Sequence, residues 1–171
     1  MRKLALLLIL VIATISIVAQ PTFVQRASTN FGNLQSFSGG HTTDGGFIIS
    51  ARISANVTII SKLDDTGVQQ WDKLYGVSGR HIDQNAANGY IFVGNKVLKL
   101  NASGNSQWAR SYQGTFNFAS QTSDLGYIMT GTTSSYGAGG SDLYVVKIAS
   151  NGSLMWHLPG ELQVTTEVET L

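Results

Sequence analysis

The chain of 171 residues carries eleven Lys and Arg against ten Asp and Glu, and it has no cysteine. A net charge of +1 gives no electrostatic case for nucleic acid or an anionic membrane, and the missing cysteines exclude a disulfide framework and a lipidated thiol. Stability must come from an apolar core, for which the length is sufficient.

Residues 1–19 read as a secretory signal peptide. Arg2 and Lys3 make a positive start, Leu4 to Val18 is an almost unbroken apolar run, and Ala19 is a small residue before a cleavage point at Gln20. An uncleaved anchor is the alternative reading, although the run is short for a span of about 20 residues and no basic stop follows it. Export implies a secreted, periplasmic or cell-surface protein. Removing Arg2 and Lys3 leaves nine basic residues against ten acidic ones, so neither nucleic acid nor membrane is an expected partner after cleavage.

Residues 20–158 read as units of strand and turn. A partial unit covers 20–45, where Phe31-Gly32 sits as Tyr75-Gly76 does later and Ala27 takes the place of a tryptophan. The first full repeat, about 46–76, has strands at Phe47 and at Val57 to Leu63, the turn Asp64-Asp65-Thr66-Gly67, and a third strand beginning before Trp71. In the second, about 89–114, Gly94-Asn95 joins two apolar runs and predicts a tight hairpin with glycine at positive φ. The third, about 126–157, has a long connection between Tyr127 and Leu143. Residues 159–171 read as an irregular tail opened by a Pro159-Gly160 turn, and nothing after the signal peptide shows helical periodicity.

One spacing rule holds three times. Lys62, Lys99 and Lys147 stand nine residues before Trp71, Trp108 and Trp156, and Gly67, Gly104 and Gly152 stand four before the same tryptophans. Gly89-Tyr90 and Gly126-Tyr127 then follow Trp71 and Trp108 by 18 residues. Fixed spacing of this kind marks a stack of one supersecondary unit. The repeats differ in length only between their first two strands, so hairpin tips form the variable face. The segment from Gly131 to Asp142 is the longest of these tips and rich in glycine.

At these residues the chain resembles a family of secreted bacterial and archaeal repeat proteins of predicted β-propeller fold. Their units read T-x-D-G-G-Y, a Ser/Gly-rich tip, then K-x-[DN]-x-x-G-x-x-x-W. Residues 122–156 fit best, Thr43-Asp44-Gly45-Gly46-Phe47 fits at the first repeat, and Asn85-Ala86-Ala87-Asn88-Gly89 is degenerate. Asp64 to Trp71 is also similar to the docking motif of quinoprotein propellers. The resemblance, over about 27–157, implies an all-β, partial β-propeller-like array of about three antiparallel blades. It also implies that Trp71, Trp108 and Trp156 are rivets between blades. Three repeats do not close a propeller. A gene fragment, an open stack or small barrel, and a self-associating partial propeller all remain open.

No pattern carries catalysis. The recurring lysines are expected to be structural, with stems packed and ammonium groups in water. Acidic turns at Asp44, Asp64 and Asp124 lack the spacing of a calcium loop, and Asx capping explains them as well. His41, His81 and His157 form no spaced ligand pair, and no phosphate, dinucleotide or nucleophile-elbow motif is present. The expectation is a non-enzymatic secreted module without cofactor. It would bind a protein or glycan at the cell surface through its variable loops, with Tyr136 and Asp142 as contact residues. The alternative is a truncated piece of a larger, quinoprotein-like propeller, for which missing blades or self-association would supply the rest.

Overall fold

The computed structural model describes residues 35–137 and 140–160, so the expected signal peptide, most of the partial unit over 20–45 and residues 161–171 lie outside the described residues. Among the described residues, twelve strands form three four-stranded antiparallel sheets. The first sheet holds β1 (Gln35–His41), β2 (Phe47–Ser54), β3 (Val57–Leu63) and β4 (Gln69–Tyr75). The second holds β5 (Gly79–Gln84), β6 (Tyr90–Gly94), β7 (Val97–Leu100) and β8 (Ser106–Arg110). The third holds β9 (Thr115–Gln121), β10 (Tyr127–Thr133), β11 (Asp142–Ile148) and β12 (Leu154–Gly160). In each sheet the strands neighbour one another in chain order, and the protein is all-β among the described residues. No helix there is long and apolar enough to cross a membrane.

The sheets pack in series because side chains alternate across a strand. In the middle sheet, Tyr90, Phe92, Leu98 and Leu100 meet Ile48 and Ile60 of the first. Ile91, Val93 and Val97 meet Tyr127, Met129, Val146 and Ile148 of the third. Strand β6 is therefore buried along its whole length, as expected for a sheet covered on both faces. At the inner edge, β1 packs on β5 and β5 on β9.

Three boundaries differ from those read in the sequence. Gln35–His41, assigned to a partial unit over 20–45, pairs with Phe47–Ser54 and is the first strand of the first sheet. The corresponding strands β5 and β9 fall in the gaps left between repeats, because polar-rich runs such as Gly79–Gln84 carry little periodic signal. Pro159-Gly160 is not a turn: Tyr144 pairs with Pro159 and Leu143 with Gly160. Proline is tolerated there because β12 is an edge strand.

The hairpin expected at Gly94-Asn95 forms one residue further on, with Gly94 ending β6 and Asn95-Lys96 making the connection, and the glycine is not there for the reason expected. Gly94 has no positive φ; a Cβ there would lie 2.1 Å from the Ser78 carbonyl oxygen, so close backbone approach demands the glycine.

Candidate functional site

The β1–β2 and β3–β4 turns, with their counterparts, gather at one end of the sheets, and the β2–β3 hairpins at the other. At the turn end, Lys62 is buried (3 % exposed) rather than wet. Its Nζ lies 2.8 Å from Asp44 Oδ2 and donates to the Leu63 carbonyl at 2.8 Å. Lys147 is held likewise by Asp124 Oδ1 and Thr122 Oγ1, both at 2.7 Å. The bond from the lysine is the main reason each carboxyl lies well below its ordinary value, helped by the threonine hydroxyl and a glycine N–H. Ala87 stands at the position of Asp44 and Asp124, so Lys99 has no such partner. It reaches instead across to the third sheet, donating to the Ser150 carbonyl at 3.2 Å and lying 5.9 Å over the Tyr127 ring.

The sign of the pH dependence follows from the depressed carboxyl values. The pairs stabilise fully above the unfolded-state value of 3.8. Their contribution is lost as pH falls toward the folded-state values, because the unfolded chain takes up protons first. Thermal melts from about pH 7 to about pH 2 are expected to be level to about pH 4 and to fall below it. The fall should be shallower in Asp44→Asn/Asp124→Asn; an unchanged profile would show that the pairs contribute nothing.

Two tryptophans lie between sheets. Trp71 packs on the turn of the second sheet, where a Cβ on Gly104 would meet its Cη2 at 2.9 Å, and its ring stands edge-on to Tyr90. Trp108 packs likewise against Gly152, and its Nε1 donates to Ser150 O at 3.2 Å. Both glycines have positive φ (75° and 82°), as does Gly67 (81°). Tyr75 and Tyr112 add a second tie, donating to the carbonyls of Gly104 and Gly152. Burial pushes both phenols up to about 12, so they remain donors at neutral pH. Trp156 differs: on edge strand β12 it is 44 % exposed, beside exposed Leu154, Met155 and Leu158.

A cleft of about 530 Å³ opens in the seam between the first and second sheets. Thr43, Asp44, Lys62, Gln70 and Trp71 form one wall, and Gln84, Asn88, Tyr90 and Ser103 the other. Gln84 Oε1 accepts from Thr43 N at 2.7 Å, and Asn88 Oδ1 accepts from Thr43 Oγ1 at 3.1 Å. Asn88 holds a positive φ of 58° at the position that Gly45 fills in the first sheet. Burial, then the nearby Asp44 charge, raise the Tyr90 hydroxyl above its ordinary value.

No family model matches the chain, and no curated protein is significantly similar to it. Among solved structures it is similar to a protein of unknown function from Bacteroides caccae. The two share 12 % identity over 78 % of this chain and 69 % of that one, with a TM-score of 0.46.

The long tip lies at the opposite end from the cleft. Thr133 Oγ1 donates to Gln113 O at 2.5 Å, and a hydroxyl-rich groove of about 300 Å³ lies between Gln113–Thr115 and Thr132–Ser135. Tyr136 does not project from this tip. Its ring packs on Tyr144 and His157, at 5.7 and 5.0 Å between centroids. Asp142 opens β11, and its Oδ2 is buried without a hydrogen-bond partner among the described residues. A Cβ at Gly137 would lie 2.3 Å from that oxygen, so the glycine lets the loop fold over the carboxylate.

Asp64 accepts from the backbone N–H groups of Thr66 and Val68 and from the Thr66 hydroxyl, and the hydroxyl bond is the leading cause of its lowered pKa. No group of three His, Asp or Glu side chains converges among the described residues. Reading the residues in sequence missed the Lys62–Asp44 and Lys147–Asp124 pairs. A signal was present: where the acid gives way to Ala87, the turn has also exchanged Thr42 and Thr122 for Asn85.

Proposed function

We propose that the chain is a secreted, non-enzymatic β-propeller-like repeat module that binds or scaffolds through its variable hairpin loops. The observation that carries this reading is the contrast between its two ends. At one end the turns keep the same spacing and repeat the same docking, Trp71 on Gly104 and Trp108 on Gly152. At the other, β2–β3 and β6–β7 are joined by two residues each, whereas residues 134–141 separate β10 from β11. A constant scaffold beside one enlarged loop is how repeat proteins carry recognition. Export rests on the pattern of Arg2, Lys3 and the apolar run to Val18. A protein or glycan at the cell surface is the matching partner class, with Asp142 and the hydroxyl groove as the contact region and Tyr136 as the residue that braces it.

Replacing residues 134–141 by a two-residue Asn-Gly turn tests this reading. The expected result is a protein that still folds cooperatively, with an unfolding midpoint lowered by the loss of the Tyr136 packing on Tyr144 and His157, and that no longer retains the ligand held by the full chain from envelope fractions of cells carrying the gene. Equal retention by both proteins would reject the loop assignment.

The exposed face around Trp156 favours a second reading, that the array continues. The missing neighbour would be a further sheet of the same kind, from a larger propeller (a quinoprotein-like enzyme among them) or from a second copy of the chain. The exposed apolar side chains of that face, beside a strand that is the last of its sheet among the described residues, support it.

A further inference from the structure

We propose that the cleft between the first and second sheets is a binding site for a neutral pyranose unit of a glycan. It lies at the turn end, away from the long tip, and does not rest on the loop reading above. The argument starts from the difference between two seams built on one plan. At the second seam, Lys99 and the Trp108 indole N–H both reach Ser150 O, so their side chains cross the space between the sheets. At the first seam the corresponding lysine is turned back: Lys62 is held by Asp44 and by the Leu63 carbonyl. The residue responsible is Asp44, whose counterpart is Ala87. The space that Lys99 crosses in one seam is left open in the other, and its volume of about 530 Å³ suits a small ligand.

The chemistry of the walls selects among ligands. Lys62 and Asp44 neutralise one another and the other lining side chains are uncharged, so nothing in the lining calls for an anion or a cation. The amides are oriented, not free. Because Thr43 donates to Gln84 Oε1 and to Asn88 Oδ1, both NH₂ groups are left as fixed donors. Asp44 Oδ2, bonded to Lys62 alone among the described residues, retains acceptor capacity. Vicinal hydroxyls of a sugar both donate and accept, which this mixture satisfies. The C–H face of a pyranose is apolar and suits the part of the Trp71 indole that lines the cleft.

The test is a titration of the ¹⁵N-labelled full chain with methyl glycosides of glucose, galactose, mannose and N-acetylglucosamine, with inorganic phosphate as a charged control. The three tryptophan indole N–H resonances are the readout. At least one glycoside is expected to shift Trp71 saturably while Trp108 and Trp156 stay in place, and phosphate is expected to have no effect. Asn88→Gly removes one oriented donor and suits the local backbone, as Gly45 shows, so it should fold normally and weaken binding by about tenfold. The proposal is overturned if no glycoside moves Trp71, if the exposed Trp156 moves as much, if phosphate competes, or if folded Asn88→Gly binds as the parent does.

Discussion

Trp108→Ala is expected to destabilise the protein by about 3 kcal/mol, whereas Trp156→Ala, at the same position of the repeat, should cost under about 1 kcal/mol. Trp108 is half-buried in the seam, packed on the cluster that contains Phe116, Tyr127 and Met129. Its indole N–H donates to Ser150 O, and its ring lies against the turn at Gly152. Truncation removes apolar contact and leaves a cavity whose walls belong to two different sheets, which limits relaxation. The estimate is at the low end of the large-to-small range because part of the ring is already in water. Trp156 has no further sheet against it among the described residues and is 44 % exposed. Urea unfolding of the two variants measures the difference, and equal costs would mean that the seam contributes nothing specific. Trp156→Ala also bears on self-association. If a second copy covers that face, the parent's sedimentation mass should rise with concentration and the variant's should not. A clean monomer at low micromolar concentration would reject a second copy as the cover.

Gly89→Ala is expected to cost about 3 kcal/mol, the upper part of the range for overpacking. A Cβ at Gly89 would lie 2.2 Å from the backbone oxygen of Leu100, with Asn101 Cα at 3.3 Å. No rotamer relieves a clash with backbone; β6 and β7 would have to part where the second sheet's core begins. The same approach recurs at Gly46 (Leu63 O, 2.2 Å) and Gly126 (Ile148 O, 2.4 Å), which explains the glycine of each Gly-aromatic pair. Gly76→Ala is the control, since a Cβ there meets nothing within 4 Å, and it should change stability by less than about 0.5 kcal/mol. Comparable losses from both variants would overturn the steric account, since the reduced freedom of the unfolded chain on replacing glycine by alanine acts in the stabilising direction.

Much of this molecule was legible along the chain where the signal is local. Short β-branched and aromatic runs bounded by Asp, Asn and Gly marked β2, β3, β6, β7, β10 and β11, and the connection lengths located the enlarged tip. The inner strands were illegible. Gln35–His41 and Gly79–Gln84 contain glycine, serine and charged residues, and they become strands because their neighbours offer a ladder to pair with. The cleft was equally hidden. Its walls come from residues as far apart as Thr43 and Ser103, and the lysine in its wall is held back by Asp44, where the second repeat has Ala87.

The sequence by itself determined the repeat: strand content, turn positions, and the glycines and tryptophans at fixed offsets, all set by backbone preference and spacing along one unit. The tertiary structure decided what each copy does. Lys62 and Lys147 are buried on carboxylates while Lys99 crosses a seam, and Trp71 and Trp108 lie between sheets while Trp156 faces outward. The physical reason is that burial and pairing depend on the neighbouring sheet, and the residues that form it lie tens of positions away in the chain.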